Sequence, residues 1–274
     1  MVIDELIRKV KSTLKENAEF EAKEIITNVM NITRTQLVID AKKTVSDEEY
    51  QMVIQHVKRR LSGEPLQYII GSSEFMSLKF CLNSDTLIPR SDTETLVETL
   101  IDYIGNRKLR VIDIGTGTGC IGISIEKYTP AEVTLVDVNE NALNMAKHNA
   151  DINGVNVKTQ CLDILTSVPE GEYDIVVSNP PYIKSEVIKS LQTEVRDYEP
   201  HRALDGGEDG LMFYRRITEI APKMLSGGGT LAYEIGYDQG EDVKNIMKTS
   251  FVDIQIIKDL CKNDRVVIGK KTDI

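Results

Sequence analysis

The sequence predicts an α/β protein built on a doubly wound, mostly parallel sheet, preceded by a small helical bundle and a β-hairpin. Three observations predict it. From Arg110 onward, short apolar runs alternate regularly with stretches of helical period, the pattern of strands crossed over by helices. Four of those runs end in polar loops that carry Asp113, Asp137, Asp163 and Asn179. Before Gly63, the apolar spacing is helical and no strand alternation occurs.

In chain order, Ile3, Leu6, Ile7, Val10 and Leu14 predict a helix over 2–14, and a second is expected over 21–29. Ser46 and Glu49 form a capping box ahead of Tyr50, Val53, Ile54, Val57 and Leu61, with Gly63 placed as a C-terminal cap. Residues 63–71 read as a linker with a short helical turn, and 74–82 as an extended hairpin. Ser91 and Glu94 predict a second capping box, opening a helix through Leu96, Val97, Leu100 and Ile104. Arg90 just before it reads as a solvated arginine. Strands are then expected at 111–114, 132–136, 157–162, 173–177 and 229–235, with helices at 120–128, 140–153, 210–225 and 239–248. A long polar connection over 183–208 includes a helix near 185–191, and 251–257 with 265–268 read as a closing antiparallel pair. The organisation expected is a helical domain over 1–72, a hairpin linker over 73–90 and an α/β domain over 91–274.

A formal net charge of -10 disfavours a nonspecific nucleic-acid binder, which needs a basic footprint on phosphate. A local basic patch stays open at Lys58-Arg59-Arg60. Cys81, Cys120, Cys161 and Cys261 are widely spaced, with no CxxC pair and few histidines, so neither a zinc site nor a disulfide framework is suggested. Cys120 and Cys161 lie in apolar contexts and read as small core residues. A start charged at Asp4 and Glu5, without a signal-like apolar region, and no apolar run of about 18 residues lead to an expected cytoplasmic location without a membrane span.

The chemistry gathers at the strand ends. Asp113-Ile114-Gly115-Thr116-Gly117-Thr118-Gly119 follows the first strand, with glycines in G-x-G-x-G order rather than the dinucleotide fingerprint. Asp137 stands about 20 residues on, where such folds place a carboxylate on ribose hydroxyls. Asp163 and Ile164 follow the third strand. No Walker lysine and no basic group lies near the glycines, so a neutral or cationic nucleoside is favoured over a phosphate ligand. Ser178-Asn179-Pro180-Pro181-Tyr182 closes the fourth strand. The prolines restrict the residues before them and donate no N–H. The loop therefore offers the Asn179 side-chain oxygen and the Pro180 carbonyl as fixed acceptors beside the Tyr182 ring, which suits a planar –NH2 group. Each aspartate alone is as readily a helix cap or turn former. Their joint placement points to S-adenosyl-L-methionine, whose sulfonium and amino groups tolerate carboxylates.

The sequence resembles the HemK/PrmC-type protein-(glutamine-N5) methyltransferases. The likeness runs through Gly63-Glu64-Pro65-Leu66-Gln67-Tyr68-Ile69 with Gly71, Leu87-Ile88-Pro89-Arg90 with Asp92-Thr93-Glu94, the 113–119 loop and Asn179-Pro180-Pro181-Tyr182. It continues in Glu199-Pro200, Gly206-Gly207, Asp209-Gly210-Leu211, Glu234-Ile235-Gly236, Lys258-Asp259-Leu260 and Asp264-Arg265-Val266-Val267. Ser91 stands where proline is frequent, and His201 lengthens the Glu-Pro segment. The resemblance implies a Rossmann-like class I methyltransferase domain with a seven-stranded sheet. Its expected activity is methylation of the glutamine in the Gly-Gly-Gln motif of class I peptide chain release factors. It also implies roles: Asp113, Gly115, Thr116, Gly117, Thr118, Gly119, Asp137, Asp163, Ile164 and Asn179 at the cofactor, and Asn179, Pro180, Pro181 and Tyr182 at the substrate amide. Asn179, Pro180 and Tyr182 are the expected catalytic set, with no metal and no dedicated general base. A monomer is expected, with the N-terminal helices contacting the release factor. Two other readings stay open: an adenine-N6 or guanine-N2 nucleic-acid methyltransferase, and a non-catalytic binding protein of translation.

Overall fold

The computed structural model describes residues 1–14 and 17–272; residues 15–16 and the last two positions of the expected 91–274 domain lie outside the described residues. The described residues within Met1–Ser72 and Gln192–Tyr198 form one compact unit, and those within Ser73–Leu191 and Glu199–Ile274 a second.

The first unit is helical: α1 (Ile3–Thr13), α2 (Ala18–Met30), α3 (Arg34–Ile39), α4 (Asp47–Leu61) and α5 (Leu66–Ile70). The expected apolar stripes meet in one core, where Ile3, Leu6 and Val10 join Ala22, Ile25, Ile26, Val53 and Val57. The Ser46 box forms in both directions: Glu49 N donates to Ser46 Oγ at 3.1 Å and Ser46 N to Glu49 Oε2 at 2.8 Å. Helix α3 was not anticipated, because its six residues bury only Leu37 and show no period. The Lys58-Arg59-Arg60 run is not a bare basic patch. Arg59 pairs with Glu64, and Arg60 bridges Glu21 at 2.9 Å and Glu194 at 2.8 Å.

The second unit opens on the hairpin β1 (Ser72–Phe75) and β2 (Leu78–Cys81). Met76 and Ser77 both turn at positive φ, as a two-residue hairpin requires. Phe75 meets Phe80 edge to face at 6.1 Å. The outer edge of β2 is met by side-chain amides from α8 (Glu140–Asn153). Asn149 accepts from Cys81 N at 2.7 Å and donates to Cys81 O at 3.1 Å, while Asn153 donates to Lys79 O at 2.9 Å.

Seven strands form the main sheet: β3 (Arg110–Ile114), β4 (Glu132–Asp137), β5 (Lys158–Cys161), β6 (Tyr173–Ser178), β7 (Leu225–Glu234), β8 (Phe251–Lys258) and β9 (Asp264–Lys271), in the order β5-β4-β3-β6-β7-β9-β8. Pairings are parallel from β5 to β7, and β9 runs antiparallel to β7 and β8. Successive strand side chains point to opposite faces. Val111, Ile175 and Ala232 thus join a core with α6 (Glu94–Ile104), α7 (Cys120–Tyr128) and α8. Ile112, Val176 and Tyr233 join another with α11 (Met212–Met224) and α12 (Gly240–Met247). Between β6 and β7 the connection holds α9 (Ser185–Ile188) and a further short helix, α10 (Thr193–Tyr198), that the polar sequence did not reveal.

Three expectations are corrected. Ser91 and Glu94 do not form a capping box. Ser91–Thr93 is a 3₁₀ turn, and Glu94 Oε1 instead accepts from Met76 N at 2.6 Å, an N–H that the tight hairpin turn exposes. Cys161 is exposed, because it ends the edge strand β5, whereas Cys120 is buried in α7. Arg90 is not simply solvated: it pairs with Glu199, whose side chain is only 1% exposed and needs a cation to offset its burial.

Candidate active site

The sheet order reverses at β3, whose neighbours are β4 on one side and β6 on the other. Ligands of doubly wound sheets bind beyond the carboxyl ends of the strands at such a switch point. Here the ends of β3 and β6 lie level, with Ile114 paired to Ser178, and Ser178 Oγ donates to Ile114 O at 2.7 Å. A cavity of about 280 Å³ opens there. Of the residues expected from the sequence, Gly115, Gly117, Asp137, Asp163, Ile164, Asn179, Pro180 and Pro181 line it.

Asp113, Thr116, Thr118 and Gly119 are buried behind that wall. Asp113 accepts from Thr116 Oγ1 at 2.6 Å and Gly122 N at 3.1 Å, and so holds the loop's curvature. Burial pushes its pKa up to about 6, with the charge of Asp137 adding to the rise. The loop is tied to the next strand by Gly115 N and Thr116 N, which donate to Val136 O at 2.8 and 3.0 Å. Gly115 and Gly117 adopt φ of +72° and +54°, and a Cβ on either would meet nothing within 4 Å. Their missing side chains leave cavity volume open to a ligand. Asp137 accepts from Gly117 N and Asn139 N, both at 2.9 Å. A carboxylate has about four acceptor sites, so two stay available for ribose hydroxyls. Asp163 Oδ1 accepts from Leu165 N at 2.9 Å.

The Asn179–Tyr182 loop is clamped from behind. Asn179 Nδ2 donates to Thr93 Oγ1 at 3.4 Å. Ile183 pairs with the 204–206 segment through Ile183 N to Leu204 O at 3.0 Å and Gly206 N to Ile183 O at 2.8 Å. Tyr182 is half-buried against the α11 core and does not line the cavity. Burial pushes its hydroxyl up to about 12, with Glu234 adding to the rise, so the phenol is neutral at ordinary pH.

Several site residues escaped the sequence reading. Asp85 and Leu87 bring the segment after the hairpin to the cavity, and Asp85 accepts from Asn139 Nδ2 and Asn141 Nδ2, both at 3.1 Å. Phe213 and Ile217, one turn apart on α11, supply apolar wall. Arg202 adds a cation to the lining, so the site is not wholly free of basic groups, although none comes from the glycine loop. Behind Asn179 lie Glu234, Gln239 and Arg265, all buried. The Asn83-Ser84-Asp85 turn, closed by Asp85 N to Asn83 Oδ1 at 3.0 Å, was a legible local signal; Leu87, Glu234 and Arg265 stand in segments of the family likeness without a role assigned there, and the rest had no signal.

Residues 90–196 match the methyltransferase small domain, and residues 5–71 the PrmC N-terminal domain. The release factor glutamine methyltransferase of Clostridium acetobutylicum is 40% identical, over 98% of both chains. That of Thermodesulfovibrio yellowstonii is 37% identical, over 98% of this chain and 97% of its own. Among solved structures, a methyltransferase from Pyrococcus furiosus shares the fold, with a TM-score of 0.53 at 17% identity over 82% of this chain and 99% of that one. Sheet order, switch-point cavity and these likenesses define a class I methyltransferase. Within that class, the chain belongs to the release factor glutamine methyltransferase family.

Proposed function

We propose that this protein transfers the methyl group of S-adenosyl-L-methionine to the side-chain nitrogen, N5, of the glutamine in the Gly-Gly-Gln motif of class I release factors, tuning translation termination in the cytoplasm. The observation that carries this reading is that the glycine loop and the Asn179–Pro181 acceptors line one cavity. The residues fit the cofactor: Gly115 and Gly117 leave open space that would take its methionine part, Asp137 has spare acceptors that would hold the ribose, and Asp163 and Ile164 line the cavity where they would border the adenine. The cofactor supplies an electrophilic methyl group on a sulfonium.

The protein's share is positioning. An amide nitrogen is a poor nucleophile, and orientation alone contributes about 7–11 kcal/mol in well-aligned reactions. Asn179 Oδ1 and the Pro180 carbonyl each accept one N–H of the glutamine amide, which aims its nitrogen and sets negative dipole ends beside developing positive charge. Tyr182, which stands outside the cavity lining, packs on the α11 core and buttresses the acceptor loop. With its phenol neutral, Tyr182 takes no proton, and the amide proton leaves to water. The helical unit of residues 1–72 serves recognition of the release factor.

The test uses labelled S-adenosyl-L-methionine with a purified release factor, its Gln-to-Ala variant in the Gly-Gly-Gln motif, and nucleic acid. Label on the wild-type release factor alone is expected. Label on nucleic acid would favour the base-amine reading, and no label on any acceptor the non-catalytic one.

A further inference from the structure

Glu234 ends β7 directly beside Asn179. Ser178 pairs with Tyr233, so Asn179 and Glu234 leave neighbouring parallel strands at the same level. The glutamate is 2% exposed. Its carboxyl faces the Thr93 hydroxyl, the Asn179 amide, the Arg265 guanidinium and Asp92. Its charge also reaches Tyr182, Tyr214 and Cys120 on the remaining sides. Among the described residues, Glu234 Oε2 has no hydrogen-bond partner, so it can receive one more donor.

Thr93 is the link. Asn179 Nδ2 donates to its oxygen at 3.4 Å, which leaves the hydroxyl hydrogen free to bond the Glu234 carboxyl, and hydrogen bonding from Thr93, and less strongly from Asn179 itself, pulls the Glu234 pKa down. An ionised carboxylate only accepts, and a hydroxyl that donates one way accepts the other. A carboxylate at the end of this chain therefore sets the sense of both bonds. It obliges Asn179 to turn its NH2 inward and its Oδ1 to the cavity.

We propose that Glu234 is a positioning residue for methyl transfer: acting chiefly through Thr93, its carboxylate decides which end of the Asn179 amide faces the acceptor. This rests on the glutamine-amide reading and names the device that orients that site. Reversed, Asn179 would set its own N–H groups against those of the substrate amide, which cannot hydrogen-bond. Burial lifts the Glu234 pKa to about 7, against the pull of hydrogen bonding from Thr93 and the charge of Arg265, with Asp92 adding to the rise and Asn179 to the pull. Protonated, the group can donate to Thr93 and the chain can run backwards. The productive orientation is thus enforced above neutral pH and relaxed below it.

The test is kcat for release-factor methylation by the full chain, at saturating S-adenosyl-L-methionine and acceptor, on both sides of neutral pH. The wild-type kcat is expected to rise through neutrality while cofactor Kd stays level. Glu234→Gln, which can donate to Thr93 at every pH, should lower kcat about tenfold, as one lost directional hydrogen bond does, and flatten the profile without weakening cofactor binding. Thr93→Val should flatten it likewise and Thr93→Ser restore it, and this pair carries the test should Glu234→Gln not fold. A wild-type inflection retained by Glu234→Gln or by Thr93→Val, with kcat unchanged, overturns the relay alone. A wild-type protein that labels no release factor overturns the functional reading, and the relay with it.

Discussion

Gln239 holds Tyr182 by its backbone: Gln239 Nε2 lies 3.2 Å from the Tyr182 carbonyl oxygen. The same nitrogen reaches Gly210 O at 3.2 Å, and Gln239 Oε1 accepts from Gly236 N at 3.0 Å. One buried amide thus joins the substrate loop to the segment behind it and to the end of β7. Gln239→Glu keeps the shape but cannot donate when ionised. Stranding buried carbonyls costs about 1–3 kcal/mol per group. Methyl transfer should fall by about 10²-fold as the loop shifts, the usual effect of a 1 Å misplacement. Cofactor affinity, measured by calorimetry, should stay within about twofold, since Gln239 is outside the cavity wall.

Gly210 backs the same loop. It sits at φ +76°, and a Cβ there would collide with the Tyr182 carbonyl oxygen and Gln239 Nε2. Gly154 shares a positive φ of +68° but has nothing within 4 Å. Gly154→Ala should therefore lose about 1 kcal/mol of stability from backbone strain alone, with kcat unchanged. Gly210→Ala should lose more stability and at least about tenfold in kcat, because the collision displaces the acceptor loop. Thermal unfolding and initial rates on the two variants check this.

Cofactor and substrate roles should separate at Asp137 and Asn179. Asp137→Ala removes the ribose acceptor and the partner of Gly117 N, and should raise cofactor Kd at least about tenfold. Asn179→Ala should leave cofactor Kd largely intact while methyl transfer falls by orders of magnitude. Equal effects of both variants on Kd, measured by titration, would contradict the division.

Asp113 makes a pH prediction. Its pKa rises from 3.8 unfolded to about 6 in the fold, mainly through burial. Stability from the neutral carboxyl is full below the unfolded value and is lost as pH climbs through about 6. The loss amounts to about 3 kcal/mol. Glu234 adds a slope of the same sign. Asp113→Asn removes only its own part, so the stability of wild type relative to Asp113→Asn should decline between mildly acid and neutral pH. Denaturant melts across that range measure it.

The strand ends were legible because each buried run is short and bounded by polar residues, so Asp137, Asp163 and Asn179 could be placed at one end of a sheet without knowing its order. The order itself was not, since whether β6 lies beside β3 or beyond β4 depends on crossovers that periodicity does not encode. For the same reason, nothing pointed to Thr93, Glu234 and Gln239 acting at one site: Thr93 and Glu234 stand in segments that carry the family likeness, but Thr93 is 86 residues from Asn179 in the chain, and only the fold brings them together. Asp113 reads identically to Asp137 in the sequence, as an acid at a strand end, yet one is enclosed by Thr116 and Gly122 and the other lines the cavity. Glu94 shows a competing local signal, a capping spacing overridden by the exposed N–H of Met76.

The two asparagines of α8 that meet β2 have a consequence for solubility. Asn149 offers Cys81 both an acceptor and a donor, and Asn153, one turn on, caps Lys79. Residues 79 and 81 face the same way along β2, so a helix is presenting amide groups where a third strand would present its backbone. Open strand edges recruit like edges from other molecules and seed aggregation. By counterfeiting a neighbouring strand with side chains, α8 closes the hairpin's edge to intermolecular pairing without adding a strand.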